Sequence, residues 1–253
     1  MTNYVIVSPS YKRARQAKTQ DYLPQCHYVV AKKEVDEYQD LGRKVIVCPD
    51  AAQGNLCRVL NWILNNMGER VLILDDDITR LIWFEREKPI QLSTEKATQF
   101  ITKAFEIAEQ WGARFFGVCP IPDKRYYREF TPFSTVSYIG GPFRGHINNE
   151  RRYDERLSLK DDYDMTLQCL NSYRLALRFN MVSYEAAQQT GEGGCTIYRS
   201  SVREEEQNRL LIKKWGSEIV GRDDGRKTAG VRKPTTALLR DINPLIRAPI
   251  KGI

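Results

Sequence analysis

Histidine is almost missing from this 253-residue chain, which has only His27 and His146. Its six cysteines (Cys26, Cys48, Cys57, Cys119, Cys169 and Cys195) include no CxxC pair. A zinc centre built from closely spaced Cys and His ligands is therefore disfavoured. No apolar run approaches the roughly 20 residues that cross a bilayer. The opening MTNYVIVSPSYKRAR has no basic stretch before its apolar residues, so it lacks the form of a secretion signal. No Walker loop, GxGxxG run, nucleophile elbow or Ser/His/Asp signature is present. Several cysteines sit in apolar runs such as VIVCPD and FFGVCPI, where a buried reduced thiol is expected. A cytoplasmic setting follows as the expectation.

What is there is an ordinary folding composition, with 42% apolar and 28% charged residues. The net charge of +7 favours polyanionic partners, although charge alone identifies none. Short apolar runs at 4–7, 26–31, 44–48, 70–74 and 115–121 read as strands. Between them, Leu56, Val59, Leu60, Ile63, Leu64 and Met67 fall on one helical stripe, with Asn55 as cap and Gly68 as stop. Ala97, Phe100, Ile101, Ala104, Phe105 and Ala108 line a second helix between Ser93 and Trp111. Residues 133–147 read as two strands around Gly140-Gly141, residues 157–171 hold a third helix, and 175–187 hold further strands. Strands alternating with amphipathic helices predict an α/β, largely parallel sheet flanked by helices. The simplest division is one domain over 1–220 and a basic C-terminal extension over 221–253.

The stretch VLILDDDITRL puts Asp75, Asp76 and Asp77 directly after a buried strand. In such sheets, ligands bind beyond the carboxyl ends of the strands. Strand alternation would send Asp75 and Asp77 to one side and Asp76 to the other. Two carboxylates about 4 Å apart repel by on the order of 4 kcal/mol at an effective dielectric near 20. Protonation, a basic partner or a bound cation relieves this. Mg²⁺ or Mn²⁺, sharing its shell with phosphate oxygens, explains both the cluster and its position. The plainer alternative is that the acids begin a turn.

A second acidic group, SLKDDYDMTL, places Asp161, Asp162 and Asp164 in the first turn of a helix that Ser158 could cap. The helix dipole favours acids there, but three in four positions exceed what a cap requires. One could act as a general base or hold a substrate hydroxyl. Residues 124–153 interleave cations, among them Arg125, Arg128 and Arg144, with aromatic residues, a pairing suited to phosphates and bases. Core packing accounts for some of these aromatics. In the tail, Arg226, Lys227, Arg232 and Lys233 could track a phosphate backbone. The loop GEGGC at 191–195 is weak evidence for phosphate binding.

Taken together, LILDDDI and LKDDYD resemble the DxD and acceptor-side acidic motifs of GT-A glycosyltransferases. The ensemble of SPSYKRAR, RVLILDDDI, YIGGPFRG and LKDDYDMTL is similar to the TET-associated glycosyltransferase group, found largely in bacteriophages. That resemblance spans roughly residues 4–215 and implies sugar transfer from a UDP-sugar to a hydroxymethylated pyrimidine, such as 5-hydroxymethylcytosine, in DNA. It implies a divalent metal at Asp75 and Asp77, with Asp75 and Asp76 also toward the nucleotide-sugar. Ser8, Tyr11, Lys12 and Arg13 would hold the uridine and its phosphates, assisted by Arg58 and Asn61. Asp162, with Asp161 beside it, would serve the acceptor hydroxyl. Many GT-A enzymes add a late histidine ligand, and this chain has no histidine after His146. Water, diphosphate or another acid would then complete the metal shell.

Two rival readings remain. A sugar-nucleotide-forming nucleotidyltransferase would use a similar sheet and carboxylate pair, but SPSYKRAR lacks the glycines its first loop usually carries. A non-enzymatic DNA-binding protein would explain the cations and leave the acid triplet without a role.

Overall fold

The computed structural model describes residues 4–85, 88–122, 130–187, 199–222 and 243–249. In chain order the elements are β1 (Val5–Pro9), α1 (Thr19–Tyr22), β2 (His27–Ala31), α2 (Val35–Gln39), β3 (Val45–Cys48), α3 (Leu56–Asn66), β4 (Arg70–Leu74) and β5 (Ile78–Glu85). There follow β6 (Lys88–Gln91), α4 (Thr94–Gln110), β7 (Phe115–Val118), β8 (Phe133–Ser134), β9 (Phe143–Ile147), α5 (Asp161–Tyr173), β10 (Leu177–Phe179) and β11 (Val182–Ala186). The last are α6 (Ser201–Trp215), β12 (Val220–Arg222) and β13 (Pro244–Ile246).

The main sheet has eight strands in the order β3-β2-β1-β4-β9-β7-β10-β8. Strands β1 to β4 run parallel, β9 runs against both β4 and β7, and β8 runs against β10. It is therefore mostly parallel, with helices on both faces. A separate sheet, β11-β5-β6, grows out of the turn after β4.

Strand β4 shows why its sequence is apolar without interruption. Leu72 and Leu74 enter the core beneath α4, while Val71 and Ile73 enter the core formed with α3 and α5. A central strand covered on both faces needs apolar residues at every position. On α4, the predicted stripe of Ala97, Phe100, Ile101, Ala104, Phe105 and Ala108 is the set that becomes buried. Asn55 and Ser93 cap their helices by accepting the backbone N–H of Arg58 and Lys96. Gly68 and Gly112, at φ 93° and 72°, supply the left-handed backbone that stops them.

Some details differ from expectation. Helix α5 starts at Asp161, and Lys160 takes the cap position without a side-chain bond. Ser158 does not cap it; it is buried and accepts a hydrogen bond from Gln207 on α6. The strand predicted over 115–121 ends at Val118. Cys26, Cys48, Cys57, Cys119 and Cys169 are buried free thiols. No described helix is long and apolar enough to cross a membrane. The tail's β13 pairs back onto β12, and Ala248 packs against the α3–α5 core.

Candidate functional site

The acid triplet lies at the carboxyl end of β4, beside the end of β1. Its backbone is tied down residue by residue. Asp75 N–H donates to Pro142 O, and Thr19 Oγ1 donates to Asp75 O. The N–H groups of Lys18 and Thr19 both reach Asp76 O, and Ala187 N–H reaches Asp77 O. Ile78 N–H then donates back to Thr19 Oγ1. Because 75–77 form a turn rather than a strand, the predicted alternation fails. Arg13 reaches both Asp76 (3.0 Å) and Asp77 (3.6 Å), while Asp75 goes another way, to within 4.0 Å of Arg144.

The three carboxylates consequently differ. Asp76 is buried and accepts from Ser10 Oγ, which in turn accepts from Tyr38 OH. Asp77 is mostly covered. Asp75 keeps 44% of its side chain open. Loss of solvent pushes its pKa up to about 7, against the pull of Arg144 and with the push of Asp77, Asp76 and Asp161. Burial likewise raises Asp76 to about 6, opposed by the Ser10 bond and by Arg13. Burial also raises Asp77, against Arg13.

The loop after β1 forms the neighbouring wall. Ser8 is fully buried, and its Oγ has no partner among the described residues. Tyr11 is exposed, with the ammonium groups of Lys12 and Lys33 over its ring at 5.3 and 5.9 Å. Lys12 has φ 55°, and its N–H donates to the buried carboxylate of Glu34. Glu34 Oε1 is a second buried oxygen without a partner among the described residues.

The opposite wall is the start of α5. Asp161 and Arg144 form a buried ion pair, and Arg144 Nε donates to Gly141 O. Burial lifts Asp161 to about 6, with Arg144 opposing. Asp162 Oδ2 accepts from Tyr138 OH and from Gly141 N–H (3.1 Å), and its Oδ1 accepts from Tyr163 N–H. The rings of Tyr138 and Tyr163 stack at 4.3 Å. A Cβ on Gly141 would lie 3.2 Å from Arg144 Nη2 and 3.4 Å from Asp162 Oδ2. A bare glycine here lets the arginine and the aspartate converge. Arg144 thus joins the two acid groups that the sequence keeps far apart.

Other expected site residues lie elsewhere. Arg144 is 2% exposed, so it is an internal tie and not a surface contact for DNA. Its guanidinium meets Asp161, Gly141 O and the Tyr153 ring (5.5 Å), with Asp75 at 4.0 Å. Asn61 is occupied with the main chain of Tyr153, donating to its O and accepting from its N. Arg58 is half exposed, near Glu155 at 3.5 Å and Ala51 O at 3.1 Å. Arg125, Arg128, Arg226, Lys227, Arg232, Lys233 and the 191–195 loop lie outside the described residues.

A divalent cation is compatible with the triplet. Asp75 and Asp77 offer hard oxygen donors, and burial, which raises both pKa values, makes their ionised forms costly without a compensating cation. Among the described residues, no three His, Cys, Asp or Glu converge on one point. The donor set therefore suits a cation that completes its shell with phosphate or water, not one caged by protein.

No protein-family model matches the sequence, and no curated protein matches it. Solved structures do. The chain overlays the mannosyltransferase PcManGT from Pyrobaculum calidifontis, solved with GDP-Man and Mn²⁺, at TM-score 0.52 and 12% identity, covering 91% of this chain and 65% of that one. It overlays S. aureus TarS 1–349 at TM-score 0.51 and 14% identity, covering 84% and 65%. The fold is of the GT-A type. This chain spans 65% of the length of each neighbour. A CMP:2-keto-3-deoxy-manno-octonic acid synthetase complexed with CTP overlays at TM-score 0.40, too loosely to bear on fold or function.

The sequence places Tyr138 only among the aromatics of the basic segment, and gives no role to Ser10, Glu34 or Tyr184. Ser10 stood in view inside SPSYKRAR. Glu34, which accepts from Lys12 N–H, and Tyr138, which donates to Asp162, lie in runs whose local pattern gives no sign of these contacts.

Proposed function

We propose that this protein transfers a sugar from a nucleoside diphosphate, UDP in the first instance, to an acceptor hydroxyl. The observation that carries the reading is the convergence of two separate acid groups, Asp75–Asp77 and Asp161–Asp162, on either side of buried Arg144. A diphosphate site and an acceptor site must face each other across the transferred sugar, and this arrangement supplies both faces.

Tyr11, Lys12 and Arg13, on the loop after β1, are assigned to the nucleotide, with Ser8 buried behind them near the end of β1. The exposed, cation-flanked Tyr11 ring is a group suited to a nucleoside and its phosphates. Asp75 and Asp77 would hold Mn²⁺ or Mg²⁺. When bound, such a cation neutralises charge on the departing diphosphate. Asp162 takes the proton of the attacking hydroxyl if configuration inverts, or orients that hydroxyl if it is retained. Tyr138 and Gly141 N–H fix its carboxylate in place. Asp161 acts with Arg144 to hold the start of α5.

The acceptor we assign is a hydroxymethylated pyrimidine in DNA. The motif ensemble and the net charge of +7 support it. A base inside a duplex must be reached in the groove or flipped out. Arg125, Arg128, Arg226, Lys227, Arg232 and Lys233 are the residues proposed for the phosphate backbone. The test is mass spectrometry of nucleosides from 5-hydroxymethylcytosine DNA, after incubation with UDP-glucose, UDP-N-acetylglucosamine or GDP-mannose and MnCl2. A nucleoside heavier by one sugar supports the reading. Unmodified nucleosides with steady release of free UDP or GDP would move the acceptor to another hydroxyl compound. No release from any donor would overturn sugar transfer itself.

A further inference from the structure

Strand β11 carries one tyrosine toward the site from the separate sheet. Tyr184 pairs with Leu81 across β5, and three residues later Ala187 N–H binds Asp77 O. The next-door Ser183 hydroxyl donates to Cys119 O, which fixes the strand against the end of β7. The Tyr184 hydroxyl lies 3.7 Å from where a Cβ on Gly140 would stand, in the segment whose Gly141 N–H holds Asp162. The strand is thus tied to the donor-side turn through Ala187 and Asp77, and the tyrosine hydroxyl lies beside the Gly140-Gly141 segment of the acceptor side. That hydroxyl makes no hydrogen bond among the described residues, whereas Tyr138 OH is spent on Asp162.

We infer that Tyr184 contacts the transferred sugar and helps set which sugar the site accepts. This inference rests on the glycosyltransferase reading above. The sugar ring joins the departing diphosphate to the attacking hydroxyl, so a hydroxyl beside the Gly140-Gly141 segment that holds Asp162, on a strand tied to the Asp77 turn, is placed to meet that ring. Burial and the neighbouring Asp75 and Asp162 raise the phenol's pKa, keeping it neutral, which suits an uncharged sugar hydroxyl and not a phosphate.

The experiment is calorimetric titration of wild-type protein and Tyr184→Phe with UDP-glucose, UDP-N-acetylglucosamine and GDP-mannose, and with UDP and GDP, all with MnCl2. The expected result is a loss of roughly five- to tenfold for the sugar nucleotide the wild type prefers, the worth of one hydrogen bond, with UDP or GDP unchanged. Because the readout is the ratio of two affinities on one sample, partial unfolding cancels. Equal losses for sugar nucleotide and bare diphosphate, or no loss, would overturn the role of Tyr184 while leaving the transferase reading intact. Wild-type protein that binds no sugar nucleotide would remove that reading and this inference with it.

Discussion

The two acid groups look alike in sequence, DDD and DDYD, yet the fold divides each of them by the same rule. At 75–77 one carboxylate stays open, Asp75, while Asp76 is drawn inside by Ser10 and Arg13. At 161–164 Asp162 stays partly exposed, while Asp164 is fully buried and accepts from Lys214, Trp215 and Gln168. The difference lies in the scaffold. The first group is a turn fixed by main-chain bonds from α1, β11 and the 142 segment, so its side chains are free to diverge. The second is a helix start, so its side chains are set by helical spacing, with Asp161 toward Arg144 and Asp164 toward α6. A cluster of acids is therefore not one site; each contains a member for chemistry and members that fasten the scaffold.

Single substitutions can break this division. The largest expected effect is Asp162→Asn, which should lower transfer by about 10²–10⁴-fold, with a smaller fall in melting temperature than Asp164→Asn because one of its acceptor oxygens to Tyr138, Gly141 and Tyr163 is lost. Asp164→Asn should do the reverse. Losing the acceptor for Lys214 and Trp215 should cost about 2–3 kcal/mol, a fall of roughly 5–10 °C seen by calorimetry, with activity kept in the surviving folded fraction. If both variants lost activity equally with no change in melting, the division would be wrong.

The donor side is sharpened by pH. Asp75 and Asp76 hold protons up to about 7 and about 6, against 3.8 ordinarily. Between about pH 4 and 7 the folded chain thus binds more protons than the unfolded one, so metal-free stability should fall as pH rises through that window. MnCl2 favours the ionised carboxylates, so its stabilisation should be larger at pH 8 than at pH 5.5, and Asp75→Asn should flatten both trends. Thermal melts at the two pH values, with and without metal, check this. The smallest effect is expected for Arg58→Ala, whose exposed pair with Glu155 should be worth less than about 0.5 kcal/mol. A large loss of UDP affinity in that variant would restore Arg58 to the nucleotide site.

Much of the fold was legible because local pattern and tertiary demand agree in it. The VLIL run of β4, the α4 stripe and the Asn55 and Ser93 caps each encode their own fate. The failures have physical causes. Helix α6, SVREEEQNRLLIKKW, is so polar that its apolar stripe does not stand out; Leu211, Ile212 and Trp215 pack with Leu157 and Leu167, while ion pairs join Glu204 to Lys160 and Lys214 to Asp164. Strand β5 has no clean alternation, because its burial follows an irregular order along the strand. The acids of the site were legible as charge in an apolar setting. Their partners were not: Arg144 reads as one more cation in a basic aromatic run, and only the pairing of β4 with β9 brings it between Asp75 and Asp161.

The most direct measurement is Mn²⁺-dependent binding of UDP-glucose and GDP-mannose to wild-type protein, Asp75→Asn and Asp77→Asn, followed by calorimetric titration. Binding that needs the metal in the wild type and disappears in both variants, with their melting temperatures preserved, is the predicted result. Affinity that is the same without Mn²⁺ and survives in both variants would contradict a cation-held diphosphate at this turn.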